Sequence, residues 1–309
     1  MSGALYQAER RAFGSYGFNA SAHVLELSDP AVHVRARDTG AGAPVLCIHG
    51  IALTSAHWAP IIARLGAHRC IALDMPGHGA SGTVDFRGVD LRRWHTSMLT
   101  GCLDKLGISS AHIVGHSYGG MMGMWLALDE PSRVRSVVSI GAPSVAFGAR
   151  PDVTFRAAAL PVLGPLMLTS PMPGPTHRAM LARALGRGAI EAAPPDLLRA
   201  AYLATRRRGF ATTASRYLRE QFRGARAKGE RYQLSDHELA RIERPLLIVW
   251  GEHDHRYQPI EQGRHKTSLI PGAQFELVPG GHEPWLDDPE SCSEAIVSFL
   301  HRIAEPPAA

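Results

Sequence analysis

The chain of 309 residues is 45% hydrophobic and 20% charged, ordinary globular values that exclude a largely disordered chain and leave ample length for a sizeable core. No run approaches the ~20 apolar residues of a membrane-crossing helix, and the start, Met1 to Gln7, meets Glu9, Arg10 and Arg11 before a signal-peptide core can form, so no membrane insertion and a cytoplasmic location are expected. The net charge of +5 is uneven: residues 145–240 hold fourteen Arg and one Lys against seven Asp or Glu, which is +8 and leaves −3 elsewhere. Those charges are scattered through helix-like sequence with no nucleic-acid-binding motif, so a solvated helical surface is expected, with an anion-attracting entrance as the alternative.

In chain order, His23 to Leu27 and Ala31 to Arg37, joined by Ser28-Asp29-Pro30, predict an antiparallel hairpin at a sheet edge. Short apolar runs follow at Val45 to Ile48, Cys70 to Leu73, His112 to Val114, Val134 to Ile140, Leu246 to Trp250 and Phe275 to Val278, alternating with helix-period stretches. That rhythm belongs to a mostly parallel sheet covered by helices on both faces. Leu91, Trp94, Met98, Cys102 and Leu106 recur at three- and four-residue steps and predict a crossover helix stopped by Gly107. Met121, Met124, Trp125 and Leu128 repeat the spacing up to Pro131, and read as core packing.

From about residue 145 the strand rhythm stops. A proline-rich apolar stretch, Leu160 to Leu166 and then Pro171-Met172-Pro173, leads into helix-period segments around Leu197 to Leu203 and Tyr217 to Phe222, and strands resume at Pro245-Leu246. The expected organisation is a core domain of residues 1–144 with 241–309 and a helical cap insertion over 145–240. Cys47, Cys70, Cys102 and Cys292 form no C-x-x-C pair and read as buried free thiols.

Gly115-His116-Ser117-Tyr118-Gly119 is a G-x-S-x-G pentapeptide set between a strand-like run and a helix-like run. A tight strand-to-helix turn exposes the serine hydroxyl, and its glycines permit close backbone approach, so Ser117 is the candidate nucleophile. A nucleophilic serine needs a base, and the base needs an orienting acid. Asp254, just past the buried run Leu246 to Trp250, is the candidate acid, with Glu252 as its competitor; catalytic groups in open parallel sheets gather at strand carboxyl ends. His282, after Pro279-Gly280-Gly281 at the end of the next run, is the candidate base, and the order Ser, Asp, His supports it over His253 and His255, which read as loop residues. The oxyanion of acyl transfer needs two fixed N–H donors, assigned to Tyr118 and to Ile51, with Ala52 adjacent to the latter. His49 reads as a hydrogen-bonding strut. Candidate substrate contacts are Ala52, His116, Phe155, Tyr202, Tyr217 and Trp285.

With these residues in place, the sequence resembles the α/β-hydrolase superfamily. Val45-Leu46-Cys47-Ile48-His49-Gly50 looks like its oxyanion strand and loop, and Leu73 to Ser81 like its D-x-P-G-H-G-x-S signature; the elbow, the G-x-x-D turn and the G-H-x-P tail around His282 follow in order. The resemblance implies an α/β-hydrolase fold with about eight mostly parallel strands, with Asp74, His78 and Ser81 holding a turn beside the site. It also implies acyl transfer on Ser117, since dehalogenases and epoxide hydrolases of this superfamily usually carry an Asp nucleophile, and no metal or organic cofactor. The expected partner is a small-molecule substrate, by default a moderately apolar carboxylic ester; a vinylogous diketone cleaved at a carbon–carbon bond is the runner-up, and perhydrolysis, a non-hydrolytic biosynthetic step or ligand reception are further options. Oligomeric state is not encoded in any motif.

Overall fold

The structure is a computed structural model that describes residues 3–149, 153–170, 173–207, 209–222, 232–254 and 258–304. Pro171, Met172 and His255, named above, lie outside the described residues.

Eight strands form one sheet: β1 (Ser21–Ser28), β2 (Ala31–Thr39), β3 (Ala43–Ile48), β4 (His68–Leu73), β5 (Ala111–His116), β6 (Val134–Ile140), β7 (Leu246–Gly251) and β8 (Gln274–Val278). Their order across the sheet is β1-β2-β4-β3-β5-β6-β7-β8. β1 and β2 pair antiparallel, as do β2 and β4, and every pair from β4 onward is parallel. The hairpin therefore sits at one edge, as expected from the two runs joined by Ser28-Asp29-Pro30. The central strands β5 and β7 are buried at every position, which is why they read as unbroken apolar runs.

Because side chains alternate along a strand, each central strand feeds two cores. Leu46, Ile48, Ile113, Val137 and Ile248 face one layer, with Met98 and Leu99 of the helix Leu91–Lys105 and Met121 and Trp125 of the helix Tyr118–Asp129. Val45, Cys47, Val114, Val138 and Val249 face the other, with Trp58, Trp285 and Ile296, Phe299 of the helix Pro289–Ala304. All four cysteines are buried free thiols.

Between β6 and β7 the described chain is helical: Val153–Ala158, Leu163–Thr169, Gly174–Leu185, Arg187–Ala192, Pro195–Thr205 and Phe210–Phe222, then the short Asp236–Ala240. This segment is tied to the sheet's carboxyl end. Thr213 Oγ1 accepts from Val84 N–H at 3.1 Å, Arg207 donates to Gly79 O, and Gln221 Nε2 donates to Ser144 Oγ at 2.8 Å.

An N-terminal helix, Gly3–Gly14, was not among the elements expected from sequence. It buries Leu5, Ala8, Glu9, Ala12 and Phe13, an i, i+3, i+4, i+7, i+8 stripe. Leu5 and Ala8 pack on Ala200 and Ala204 of the helix Pro195–Thr205, and Arg11 pairs with Asp196 at 2.9 Å. Glu9 is buried between two strand arginines: Arg35 reaches it at 2.5 Å and Arg37 at 3.0 Å, and Arg35 also pairs with Asp74. One helix thus bridges the inserted helical segment and the turn after β4.

Candidate active site

The register places the candidate residues together before any side chain is considered. Ile48 of β3 pairs with Gly115 of β5, His116 with Ile140 of β6, Ile140 with Val249 of β7, and Gly251 with Val278 of β8. The loops carrying Ile51, Ser117, Asp254 and His282 therefore leave neighbouring strands at one sheet edge.

Ser117 adopts φ 50°, ψ −107° between β5 and the helix Tyr118–Asp129. A non-glycine residue there costs about 1–3 kcal/mol, held by the surrounding structure. Ser117 N–H donates to Ile140 O at 3.0 Å, and Met121 N–H closes the first helical turn on Ser117 O at 3.1 Å. The glycines are required by space: a Cβ on Gly115 would lie 2.3 Å from Gly119 O, and one on Gly119 would lie 1.9 Å from Ile48 O. Tyr118 opens the helix, so its N–H is one of the terminal donors without an intrahelical acceptor.

Asp254 is buried, and its carboxylate is aimed by its own backbone. Asp254 N–H donates to Gly251 O at 2.9 Å, and Trp250 Nε1 donates to Asp254 O at 2.9 Å. Its Oδ2 accepts from Ala142 N–H at 3.0 Å and from His282 Nδ1 at 2.8 Å. A proton on Nδ1 facing a carboxylate leaves Nε2 as the basic nitrogen of His282. Glu252 and His253 are exposed, so of the two carboxylates weighed in this turn it is Asp254 that meets His282. Gly141, at φ 69°, lets the strand end pass close: a Cβ there would stand 2.9 Å from His282 O.

The loop after β3 is braced from three sides. His49 donates from Nδ1 to Gly50 O at 2.6 Å and accepts Met75 N–H on Nε2 at 3.0 Å. Burial and nearby His78 push its pKa down to about 3, so it stays neutral and acts as the strut expected. Gly50 lies against the His116 ring, where a Cβ would come within 2.6 Å of Nδ1. Asp74 accepts Ser55 N–H at 2.8 Å and Ala80 N–H at 2.7 Å, and Ser81 Oγ donates to Asp74 O at 2.6 Å. The Arg35 guanidinium holds Asp74 below the usual carboxylate range despite burial. His78 donates from Nδ1 to Pro76 O at 3.0 Å and packs on His49 and Phe210. Ile51 and Ala52 are half-buried at the loop's tip, and Ala52 takes φ 67°.

The expected substrate contacts are distributed unevenly. His116 is buried, donates from Nε2 to His282 O at 2.9 Å, and packs its ring 4.7 Å from that of His282. Trp285 is fully buried, with Nε1 donating to His57 O at 2.8 Å and its ring stacked on Trp58 at 5.1 Å. His116 thus braces His282 from the core side, and Trp285 packs on the His116 ring at 4.8 Å. Tyr217 reaches down from the helix Phe210–Phe222 to lie 4.2 Å from the Tyr118 ring. Phe155 and Tyr202 are half-buried and meet Phe222 and His177 respectively, within the inserted helices. Sequence reasoning missed His95, which donates from Nδ1 to Leu91 O at 2.6 Å and receives the Tyr118 hydroxyl on Nε2. Its place one turn after Leu91 and three residues before Met98, on the helix's apolar face, was the available signal.

Residues 43–166 match the family model of the alpha/beta hydrolase fold. The crystal structure of carboxylesterase CesB (YbfK) from Bacillus subtilis superposes with a TM-score of 0.77 at 23% identity, covering 96% of each chain. The chain has the α/β-hydrolase fold. Among curated relatives, a 2-hydroxy-6-oxononadienedioate/2-hydroxy-6-oxononatrienedioate hydrolase from Paraburkholderia phymatum is 27% identical over 87% of this chain and 91% of that protein. Carboxylesterase YbfK of Bacillus subtilis is 25% identical over 96% of this chain and 93% of that protein. Hydrolases thus surround the chain in both sequence and fold.

Proposed function

We propose that this chain is a serine hydrolase that cleaves a carboxylic ester of a small to medium, moderately apolar substrate through an acyl-enzyme on Ser117. The observation that carries the reading is the 2.8 Å bond from His282 Nδ1 to Asp254 Oδ2 beside a serine held at φ 50° on the elbow. In the cycle, Ser117 Oγ attacks the carbonyl while His282 Nε2 takes its proton. The amides of Ile51 and Tyr118 receive the oxyanion, and Asp254 stabilises the imidazolium. The imidazolium protonates the leaving alcohol, and a water deprotonated by His282 then releases the acid. The chemistry calls on no metal or organic cofactor. The helices of 145–240 form the cap, with Tyr217 the candidate nearest the elbow through its contact with Tyr118.

A carbon–carbon bond hydrolase of a vinylogous diketone is the second reading, supported by the similarity to the 2-hydroxy-6-oxononadienedioate/2-hydroxy-6-oxononatrienedioate hydrolase of Paraburkholderia phymatum. A panel of p-nitrophenyl esters beside a ring-cleaved diketone separates the two. Ester turnover abolished in Ser117→Ala supports the esterase; turnover of the diketone alone supports the alternative; turnover of neither in the intact protein counts against both.

A further inference from the structure

The helices after β6 turn an apolar face outward. Six of the nine exposed large hydrophobic side chains reported among the described residues fall within 153–180: Val153, Leu160, Val162, Leu163, Leu166 and Met180. Val162 is 79% exposed and Val153 76%. These side chains are not a core left unfinished, because the same two short helices already bury their other face. Phe155, Ala158, Met167 and Leu168 pack inward, and Gly164 sits so close to the preceding turn that a Cβ would lie 2.0 Å from Ala158 O. An apolar patch of this kind on a surface marks an interaction site.

Charge selects the partner. Residues 153–180 contain two arginines, Arg156 and Arg178, and no Asp or Glu. Both arginines are exposed. A second copy docking through this face would set these arginines against their own copies with no carboxylate from 153–180 to pair them, which disfavours a symmetric dimer. A free anion would satisfy the arginines and leave the valines and leucines in water. A surface that offers negative charge above an apolar layer matches both features, and that is an anionic phospholipid bilayer. The helices concerned, Val153–Ala158 and Leu163–Thr169, are far too short to span one.

We propose that the 153–180 face docks peripherally on anionic phospholipid bilayers, with Leu160, Val162, Leu163 and Leu166 entering the headgroup boundary while the arginines meet lipid phosphates. The test is flotation of the full chain with vesicles of phosphatidylcholine containing about a third phosphatidylglycerol, against pure phosphatidylcholine. Binding is expected on the anionic vesicles alone, and is expected to fall steeply when NaCl rises from about 0.1 M to 0.5 M. A Val162→Ser/Leu166→Ser double variant should bind roughly tenfold more weakly or worse. Arg156→Glu/Arg178→Glu should lose the preference for anionic lipid. Unchanged thermal midpoints would show that these exposed substitutions leave the fold intact. No flotation, equal flotation on both vesicles, or unchanged binding by the apolar variant would overturn the proposal. So would a lipid-free dimer, seen by sedimentation, that the apolar variant dissociates. Vesicle binding is read without turnover, so it stands or falls independently of the reaction at Ser117.

Discussion

Substitution of Asp254 separates two tasks carried by one oxygen. Oδ2 accepts both Ala142 N–H at 3.0 Å and His282 Nδ1 at 2.8 Å, whereas Oδ1 is buried without a hydrogen-bond partner among the described residues. In Asp254→Asn, the amide oxygen therefore belongs at the Oδ2 position, where it keeps both donors. The reverse orientation would face its N–H groups with two others. The His282 tautomer then survives and the charge opposite the imidazolium is lost, while the amide NH2 takes the buried Oδ1 position that has no partner among the described residues. At a charge separation of about 4 Å and an effective dielectric of about 20, that charge contributes about 4 kcal/mol, or roughly a thousandfold in kcat/KM. Asp254→Ala removes the acceptor as well, leaving two buried N–H donors unpaired at a further cost of about 1–3 kcal/mol. The alanine variant should thus fall roughly tenfold or more below the asparagine variant. The assay is kcat/KM on a turned-over p-nitrophenyl ester, with thermal midpoints to show that both variants fold. An asparagine variant as damaged as the alanine variant, or either retaining activity within about tenfold of the parent, would refute the reasoning.

Acid should destabilise the fold well above the carboxylate range. Burial lowers His49 to about 3, His57 to about 4 and His95 to about 3. Their folded pKa values lie below the unfolded value, so the stability they support is full above about pH 6.5 and is lost as pH falls toward 4. At pH 5 each contributes a loss of about 2 kcal/mol, about 6 in all, comparable to a domain's whole stability. Urea midpoints measured from pH 8 to pH 5 should drop steeply below 6.5; a flat profile would contradict the neutral buried histidines. Glu9→Ala strips the shared acceptor from Arg35 and Arg37, both buried, and is expected to cost about 3–5 kcal/mol, or roughly 5–8 °C in thermal midpoint for a chain of this size. A midpoint within about 1 °C of the parent would mean the N-terminal helix contributes little.

The strands were legible because β5 and β7 are buried at every position and so read as short apolar runs, and the hairpin because two strand-like runs meet at Ser28-Asp29-Pro30. The insertion of β4 between β2 and β3 was not, since strand order is set by crossovers that leave no local pattern. The N-terminal helix escaped because its buried stripe includes Glu9, which reads as polar until Arg35 and Arg37, on another element, are seen to neutralise it. At the site, the meeting of Asp254 with His282 was legible from their places at strand ends, and the bracing by His49 from its loop. His116 was weighed for substrate, yet its ring braces His282 O, a contact made across 166 residues that spacing cannot reveal. Trp285 likewise follows His282 in sequence but turns into the core against Trp58.

Covalent capture of the nucleophile tests the central claim most directly. A fluorophosphonate probe incubated with the intact protein should add one adduct, mapped by peptide mass spectrometry to Ser117 and absent from Ser117→Ala. No adduct, or an adduct on another residue that persists in Ser117→Ala, would contradict the account.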